Sequence, residues 1–173
     1  MNLLLNNEET ERLQFRNLLP SDFDDWLAFH EDPRSSQFWE GLPETPEAAC
    51  RQQFDRVFER YEKNLGGMNA VLLKSTGILI GLCGLLIQIV DDLQELEIGY
   101  SILPEYWQQG FATEAAKKCK EFAFEHHLAE SLISIIQIDN LPSQKVALSN
   151  GMFLDKTTVY HNNQVHIYRI LSV

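Results

Sequence analysis

The chain is short of the features that commit a protein to a membrane, a secretory route or a nucleic acid. Its most apolar stretch, Gly77 to Val90, is broken by Gly81, Cys83, Gly84 and Gln88 and falls short of the roughly 20 apolar residues a spanning helix needs. It reads instead as a buried strand. Cysteine is scarce: Cys50, Cys83 and Cys119 form an odd, scattered set without C-x-x-C spacing, which argues against a disulfide framework and a zinc site. A reducing compartment follows. Met1 to Asn7 holds only Leu3 to Leu5 as an apolar run, with no basic residue before it, so no signal peptide is expected and the cytoplasm is the expected location.

Basic residues are few as well. Fourteen Lys and Arg stand against 25 Asp and Glu, a formal charge of −11, which opposes binding to a phosphate backbone and excludes nucleic acid as the expected partner. Such a surface would attract a cationic amine, although solubility is the commoner reason for such a surplus. No Pro-, Ser- or Gln-rich tract and no internal repeat interrupts the chain, so residues 1–173 are expected to form one domain.

What is present is an alternation of strand and helix signals. Thr10 to Leu18 alternates as a half-buried strand, and Ser21 is the expected N-cap of a short helix that ends near Pro33. Thr45 before Pro46 opens a second helix, with Phe54, Val57, Phe58 and Tyr61 on one face. Met68 to Leu73 and Ile78 to Val90 read as a hairpin. Leu96, Ile98, Tyr100 and Ile102 alternate with Glu95, Glu97, Gly99 and Ser101, giving a strand with carboxylates and small residues on one face. Further on come a helix over about Phe111 to His127, a strand over Leu132 to Ile138 and a helix over Asn140 to Ser149. A terminal hairpin turns around Asn162 and Asn163. Together they predict an α+β fold, a mixed sheet of about seven strands flanked by about four helices.

The junction from Glu95 to Ala116 is the most informative segment: a strand, Pro104, then W-Q-Q-G-F-A-T-E-A running into the longest helix. A helix N-terminus presents unpaired N–H groups and a partial positive charge, and Gly110 lets the backbone close around an anionic phosphate. Neither G-x-x-x-x-G-K nor G-x-G-x-x-G occurs, so the two common nucleotide cradles lack their residues. A pyrophosphate held without lysine or metal fits what remains.

Four segments, in order, resemble the GNAT superfamily, in its ribosomal-protein N-terminal acetyltransferase (RimJ/RimL-like) branch. They are T-E-R-L-x-x-R at Thr10 to Arg16, E-I-G-Y at Glu97 to Tyr100, P-E-Y-W-Q-Q-G-F-A-T-E-A from Pro104, and N-x-x-S at Asn140 and Ser143 leading into G-M-F at Gly151. The resemblance implies a splayed sheet and acetyl-CoA as co-substrate. Its pantetheine arm would bond the strand backbone near Ile102 and Leu103. Backbone N–H groups of Gln108, Gln109, Gly110, Phe111, Ala112 and Thr113 would hold the pyrophosphate, Asn140 would touch the arm, and Ser143 would lie near the thioester sulfur. Two positions depart from the family pattern: Trp107 stands where Gln or Arg is frequent, and Ala147 stands where many members carry a tyrosine acid.

Attack on a thioester requires a free amine, hence a base, and Glu95 and Glu97 are the candidates, a solvated or acceptor-orienting pair being the other reading. Ser143 and strand N–H groups would stabilise the departing thiolate and the oxyanion. The cysteines and the five histidines read as core or surface residues, with no metal expected. Most of Trp26, Phe29, Phe38, Trp39 and Tyr61 read as core residues, although the resemblance implies an acceptor site walled from this region. The expected acceptor is a protein N-terminus or a small amine, and the expected assembly a monomer or homodimer. A silent acyl-CoA-binding sensor or interaction domain is the alternative.

Overall fold

A computed structural model describes residues 1–173. Seven strands form one sheet in the order β1-β2-β3-β4-β5-β7-β6, with four helices against its two faces. The expected α+β architecture is therefore present.

The first strand, β1 (Leu13–Asn17), buries Leu13 and Phe15. It starts later than the alternation suggests, because Thr10 turns the chain: its hydroxyl accepts from the Leu13 amide at 3.0 Å and its own amide donates to the Leu13 carbonyl. Ser21 does not cap the first helix. Pro20–Asp22 form a 3-10 turn, and the Asp22 carboxylate accepts from the Leu19 amide at 2.8 Å and from Arg16 at 2.7 and 2.8 Å before α1 (Phe23–Glu31) begins. Burial disfavours ionisation of Asp22, but the Arg16 guanidinium and the Leu19 amide together hold its carboxyl below the usual range.

Helix α2 (Pro46–Glu62) starts as its sequence predicts, with the Thr45 hydroxyl accepting from the Ala48 amide at 3.2 Å. Strands β2 (Gly66–Leu73), β3 (Leu79–Val90) and β4 (Leu93–Ile102) follow as an antiparallel meander. Asp91 and Asp92 join β3 to β4 with φ of +48° and +65°. Two left-handed residues suit the twist of a tight hairpin, so β4 begins earlier than Glu95.

Helix α3 (Phe111–Glu125) ends where His127 turns left-handed at φ +53° and the Leu128 amide reaches back to the Ala123 carbonyl. Strand β5 (Ser131–Gln137) and α4 (Leu141–Ser149) lead to the final hairpin, β6 (Phe153–Tyr160) and β7 (Asn163–Leu171). Its turn is His161–Asn162, at φ +47° and +63°, one residue earlier than expected. It is β7 that pairs with β5, leaving β6 at the sheet edge.

The sheet carries a core on each face. Leu13, Phe15, Ile80, Ile98 and Ile102 pack with Phe111, Ala115, Cys119 and Phe122 of α3, whose small residues bring the helix close. On the opposite face, Leu82, Ala70 and Leu18 meet Trp26 and Phe29 of α1 and Cys50, Phe54 and Val57 of α2. All three cysteines are buried free thiols. Burial pushes the Cys50 thiol up to about 11, so it stays neutral and unreactive.

Phe54 is fully buried and Thr45 is an exposed cap, so their removal separates packing from capping. Phe54→Ala is expected to cost about 3–5 kcal/mol and Thr45→Ala about 1 kcal/mol, measured by urea denaturation. Equal losses would show that the α2 face contributes little more than its cap.

Candidate active site

Every strand pair in the sheet is antiparallel except β4–β5, which is parallel and in register only at Glu97 opposite Ile133. Beyond that pair the strands part. Ser134 fills the crotch, its hydroxyl donating to the Ile98 carbonyl at 2.9 Å where the ladder has ended. Since Ile98 turns its backbone toward β5, the alternate residues Tyr100 and Ile102 turn theirs into the same gap. The Ile102 carbonyl accepts from the Trp107 indole N–H at 2.7 Å. Leu103, by contrast, is committed elsewhere: its amide donates to the Ile80 carbonyl of β3 and its carbonyl accepts from the Tyr106 amide. Of the two residues expected to face a pantetheine arm, only Ile102 lines the gap.

The gap opens into a cleft of about 400 Å³, bounded by the end of β4, the 106–113 turn, the start of α4 and the loop carrying Arg34, Phe38 and Trp39. Gln108, Gly110, Phe111, Ala112, Thr113, Asn140 and Ser143 line it; Gln109 does not. Among the lining residues there is no Asp or Glu, and Arg34 and Lys145 are the only charged ones. In a chain of formal charge −11, this cleft is the place suited to an anion.

The turn before α3 is shaped by Gln108 at φ +60° and Gly110 at φ +82°. A side chain at Gly110 would adopt a strained conformation and meet the Arg12 guanidinium at 3.4 Å. The helical ladder begins with the Glu114 amide, bonded to the Gly110 carbonyl at 3.0 Å. The amides of Phe111, Ala112 and Thr113 thus lie ahead of it, at the positive end of a helix of 15 residues. This arrangement fits a diphosphate.

Arg12 braces the turn, and sequence reading saw it only as part of an opening strand. Its guanidinium donates to Glu114 at 2.7 Å and to the Gln109 carbonyl at 2.9 Å, and lies 4.2 Å over the Phe111 ring. The Thr10 hydroxyl donates to Glu114 at 2.6 Å and the Arg12 amide at 2.9 Å. Burial opposes ionisation of Glu114, but these donors hold its carboxyl below the usual range. Gln109, expected to contribute an amide to the phosphate, also offers its carbonyl to this clamp.

The two candidate bases have different surroundings. Glu95 is locked in a two-pronged ion pair with Arg169, at 2.7 and 3.0 Å, and Arg169 also holds Asp155 and Ser131. Glu97 has no ion pair within bonding distance. It is half-buried on the α2 face of β4, and burial raises its pKa above the ordinary carboxylate range against three opposing influences: Gln88, the Arg60 charge and the Ile135 amide. The Gln88 side-chain amide donates to Glu97 at 2.8 Å. The orientation of that amide is fixed, because Arg60 and the Tyr160 hydroxyl both donate to its oxygen at 2.9 Å. Arg60, Gln88 and Tyr160 come from α2, β3 and β6; only Gln88, a lone polar residue in an apolar run, stood out in the sequence.

Ser143 sits on the opposite face. Asn140 caps α4 by accepting from the Ser143 amide at 3.2 Å, which places the serine side chain at the cleft. Phe29, Phe38 and Trp39 line the cleft; Trp26 and Tyr61 are core residues. The Trp26 indole and the His30 ring share the Gln53 side-chain oxygen, both at 2.7 Å, and burial lowers the His30 pKa below its ordinary value. No three His, Cys, Asp or Glu side chains converge as metal ligands, and no helix is long and apolar enough to cross a membrane.

The chain matches the acetyltransferase (GNAT) domain family over residues 12–153. It is 26% identical over 165 residues to the uncharacterized N-acetyltransferase p20 of Bacillus licheniformis, covering 95% of this chain and 90% of that one. Similarity to the uncharacterized protein YkkB of Bacillus subtilis strain 168 reaches 32% over 95 residues, and the match spans about half of each chain, 55% in both. Among solved structures, the acetyltransferase from Agrobacterium tumefaciens strain C58 superposes with a TM-score of 0.79 at 26% identity, over 95% of this chain and 94% of that one. The family match takes in the splayed strands, the braced turn and α4, and the chain belongs to the GNAT acetyltransferases, enzymes that transfer an acetyl group from an acyl-CoA thioester to an amine.

Proposed function

We propose that the chain uses acetyl-CoA and transfers the acetyl group by direct attack of a primary amine within a ternary complex, with Glu97 as the general base. The observation that supports this reading is that an anion-suited turn and a carboxylate without an ion pair lie on opposite faces of one split sheet. The anion-suited turn, Asn140 and Ser143 lie on the α3–α4 face, and Glu97 lies on the α2 face. Two substrates meeting at the split would be held in line, which supplies much of the acceleration in such reactions.

In the proposed step, the amine lone pair forms the C–N bond and the C–S electron pair leaves on sulfur. The surplus amine proton goes to Glu97. The unpaired amides of Phe111, Ala112 and Thr113 would hold the diphosphate, with Gln108 and Gly110 shaping the turn, and Ile102 would offer its strand edge to the pantetheine arm. Glu95 takes no part as a base: its ion pair with Arg169 serves to tie β4 to β7. The family tyrosine acid is missing at Ala147, and no cysteine is placed to form an acyl intermediate.

A protein N-terminus or a small monoamine is the acceptor class we favour, as in the RimJ/RimL-like branch. Aromatic Phe29, Phe38 and Trp39 would take an apolar group beside the amine, and the lack of any lining carboxylate would leave the further ammonium groups of a polyamine without a partner. Three free buried thiols accord with a reducing cytoplasm.

Glu97→Gln is expected to lower kcat about a hundredfold or more, measured as thiol release with N-terminal peptides and small amines as acceptors. Only ionised Glu97 accepts a proton, and burial raises its pKa, so kcat/KM of the wild type should rise with pH through a midpoint above the ordinary glutamate range. That limb should vanish in Glu97→Gln; its persistence would assign the base elsewhere. Gln88→Leu removes a donor that favours the carboxylate, and should move the same limb to higher pH while Glu97 remains in place. An unmoved limb would show that Gln88 does not act on Glu97.

A further inference from the structure

The family's usual proton donor is not replaced at its own position. Ala147 is buried in a small apolar cluster with Ile136, Met152 and Tyr168 and does not line the cleft. A different phenol reaches the site from the strand. Tyr100 lines the cleft from β4, and its hydroxyl donates to the Ser143 backbone carbonyl at 2.8 Å while accepting from the Ser143 side-chain hydroxyl at 3.1 Å. Each hydroxyl has one hydrogen to give. As arranged, the hydrogen of Tyr100 is committed to the carbonyl and that of Ser143 to Tyr100, so neither faces a departing sulfur.

We infer that Tyr100 is the positioning residue for thiolate departure, acting through Ser143. If its O–H turns from the Ser143 carbonyl to the Ser143 hydroxyl, the serine hydrogen is released toward the sulfur, and the two hydroxyls form a chain ending on the new negative charge. Hydrogen bonds in such a chain strengthen one another at low local dielectric, and a bond to a charged acceptor is stronger than one between neutral groups. The balance of the step is unchanged: the C–N bond forms, the C–S pair stays on sulfur, the amine proton goes to Glu97, and solvent protonates the thiolate after release. Neither hydroxyl is ionised. Burial pushes the Tyr100 phenol well above its ordinary range, which suits a group that donates a hydrogen bond and keeps its proton.

This inference rests on the proposed place of Ser143 beside the thioester, and a double-mutant cycle tests it. Tyr100→Phe, Ser143→Ala and the double variant are assayed for kcat and for KM of acetyl-CoA, with the best amine found for the wild type. Each single change is expected to lower kcat about tenfold to a hundredfold with KM moved less than about threefold, and the double variant should be no slower than the slower single. Ser143→Thr, which keeps a hydroxyl, should recover most of the loss. A wild-type kcat in Tyr100→Phe, or losses that multiply in the double variant, would overturn the inference. So would unfolding of Tyr100→Phe, because it would show the phenol to be structural. A wild-type chain that releases no thiol with any amine defeats the broader functional reading, a result distinct from a turning-over wild type that Tyr100→Phe merely matches.

Discussion

Parallel pairing between β4 and β5 survives at one position, Glu97 opposite Ile133, and the geometry of the site depends on that single point of closure. A longer ladder would use the edges of Tyr100 and Ile102 for sheet hydrogen bonds and leave no gap for an extended ligand. No ladder at all would split the sheet and separate β1–β4 from the β5–β7–β6 half. Several side chains make the partial closure stable. Ser134 satisfies the Ile98 carbonyl, Trp107 satisfies the Ile102 carbonyl, and the Glu95–Arg169 ion pair ties β4 to β7 around the crotch. Unpaired buried backbone groups are costly, so the split is maintained by substituted partners rather than by simple omission of bonds.

The polar groups buried around the split differ in how they are balanced. Asp22, Glu95 and Glu114 each meet an arginine directly, the arrangement expected of structural carboxylates. Glu97 has no arginine in contact: Gln88 stands between it and Arg60, whose charge only partly offsets the effect of burial. The chain thus has the means to neutralise buried carboxylates and does not apply them at the one carboxylate beside the split. Burial raises the affinity of this carboxylate for protons, the direction in which the proposed general base would be tuned.

Much of the architecture was legible in the sequence because it rests on local signals. Thr45–Pro46, the Asn140 cap, the small-residue stripe of α3 and the alternation of β4 each determine their element almost alone. The boundaries that shifted were those decided by side-chain bonds to distant or neighbouring groups: Thr10 bending the chain before β1, Asp22 displacing Ser21 at α1, and paired left-handed residues at Asp91–Asp92 and His161–Asn162. The turn before α3 was also legible, since W-Q-Q-G-F-A-T-E-A carries both the glycine and the helix start. What the sequence withheld was convergence. Nothing in the spacing of Arg60, Gln88, Glu97 and Tyr160 shows that α2, β3, β4 and β6 bring them together, and Arg12 and Glu114, about a hundred residues apart, meet only once β1 is laid beside α3. The surroundings of Leu103 and Glu95 were hidden for the same reason, because the partner of each, Ile80 and Arg169, lies on another strand.

The central claim is that acetyl-CoA enters the β4–β5 split with its diphosphate on the turn before α3. Amide hydrogen exchange, with and without acetyl-CoA, tests this most directly. The amides of Phe111, Ala112 and Thr113 lie ahead of the helical ladder and should exchange quickly in the free protein. The account predicts strong protection on binding at these amides and at Ile102, with little change at Leu103, whose amide β3 already holds. Binding that leaves the 111–113 amides as fast as before, or that protects a different surface, would contradict it.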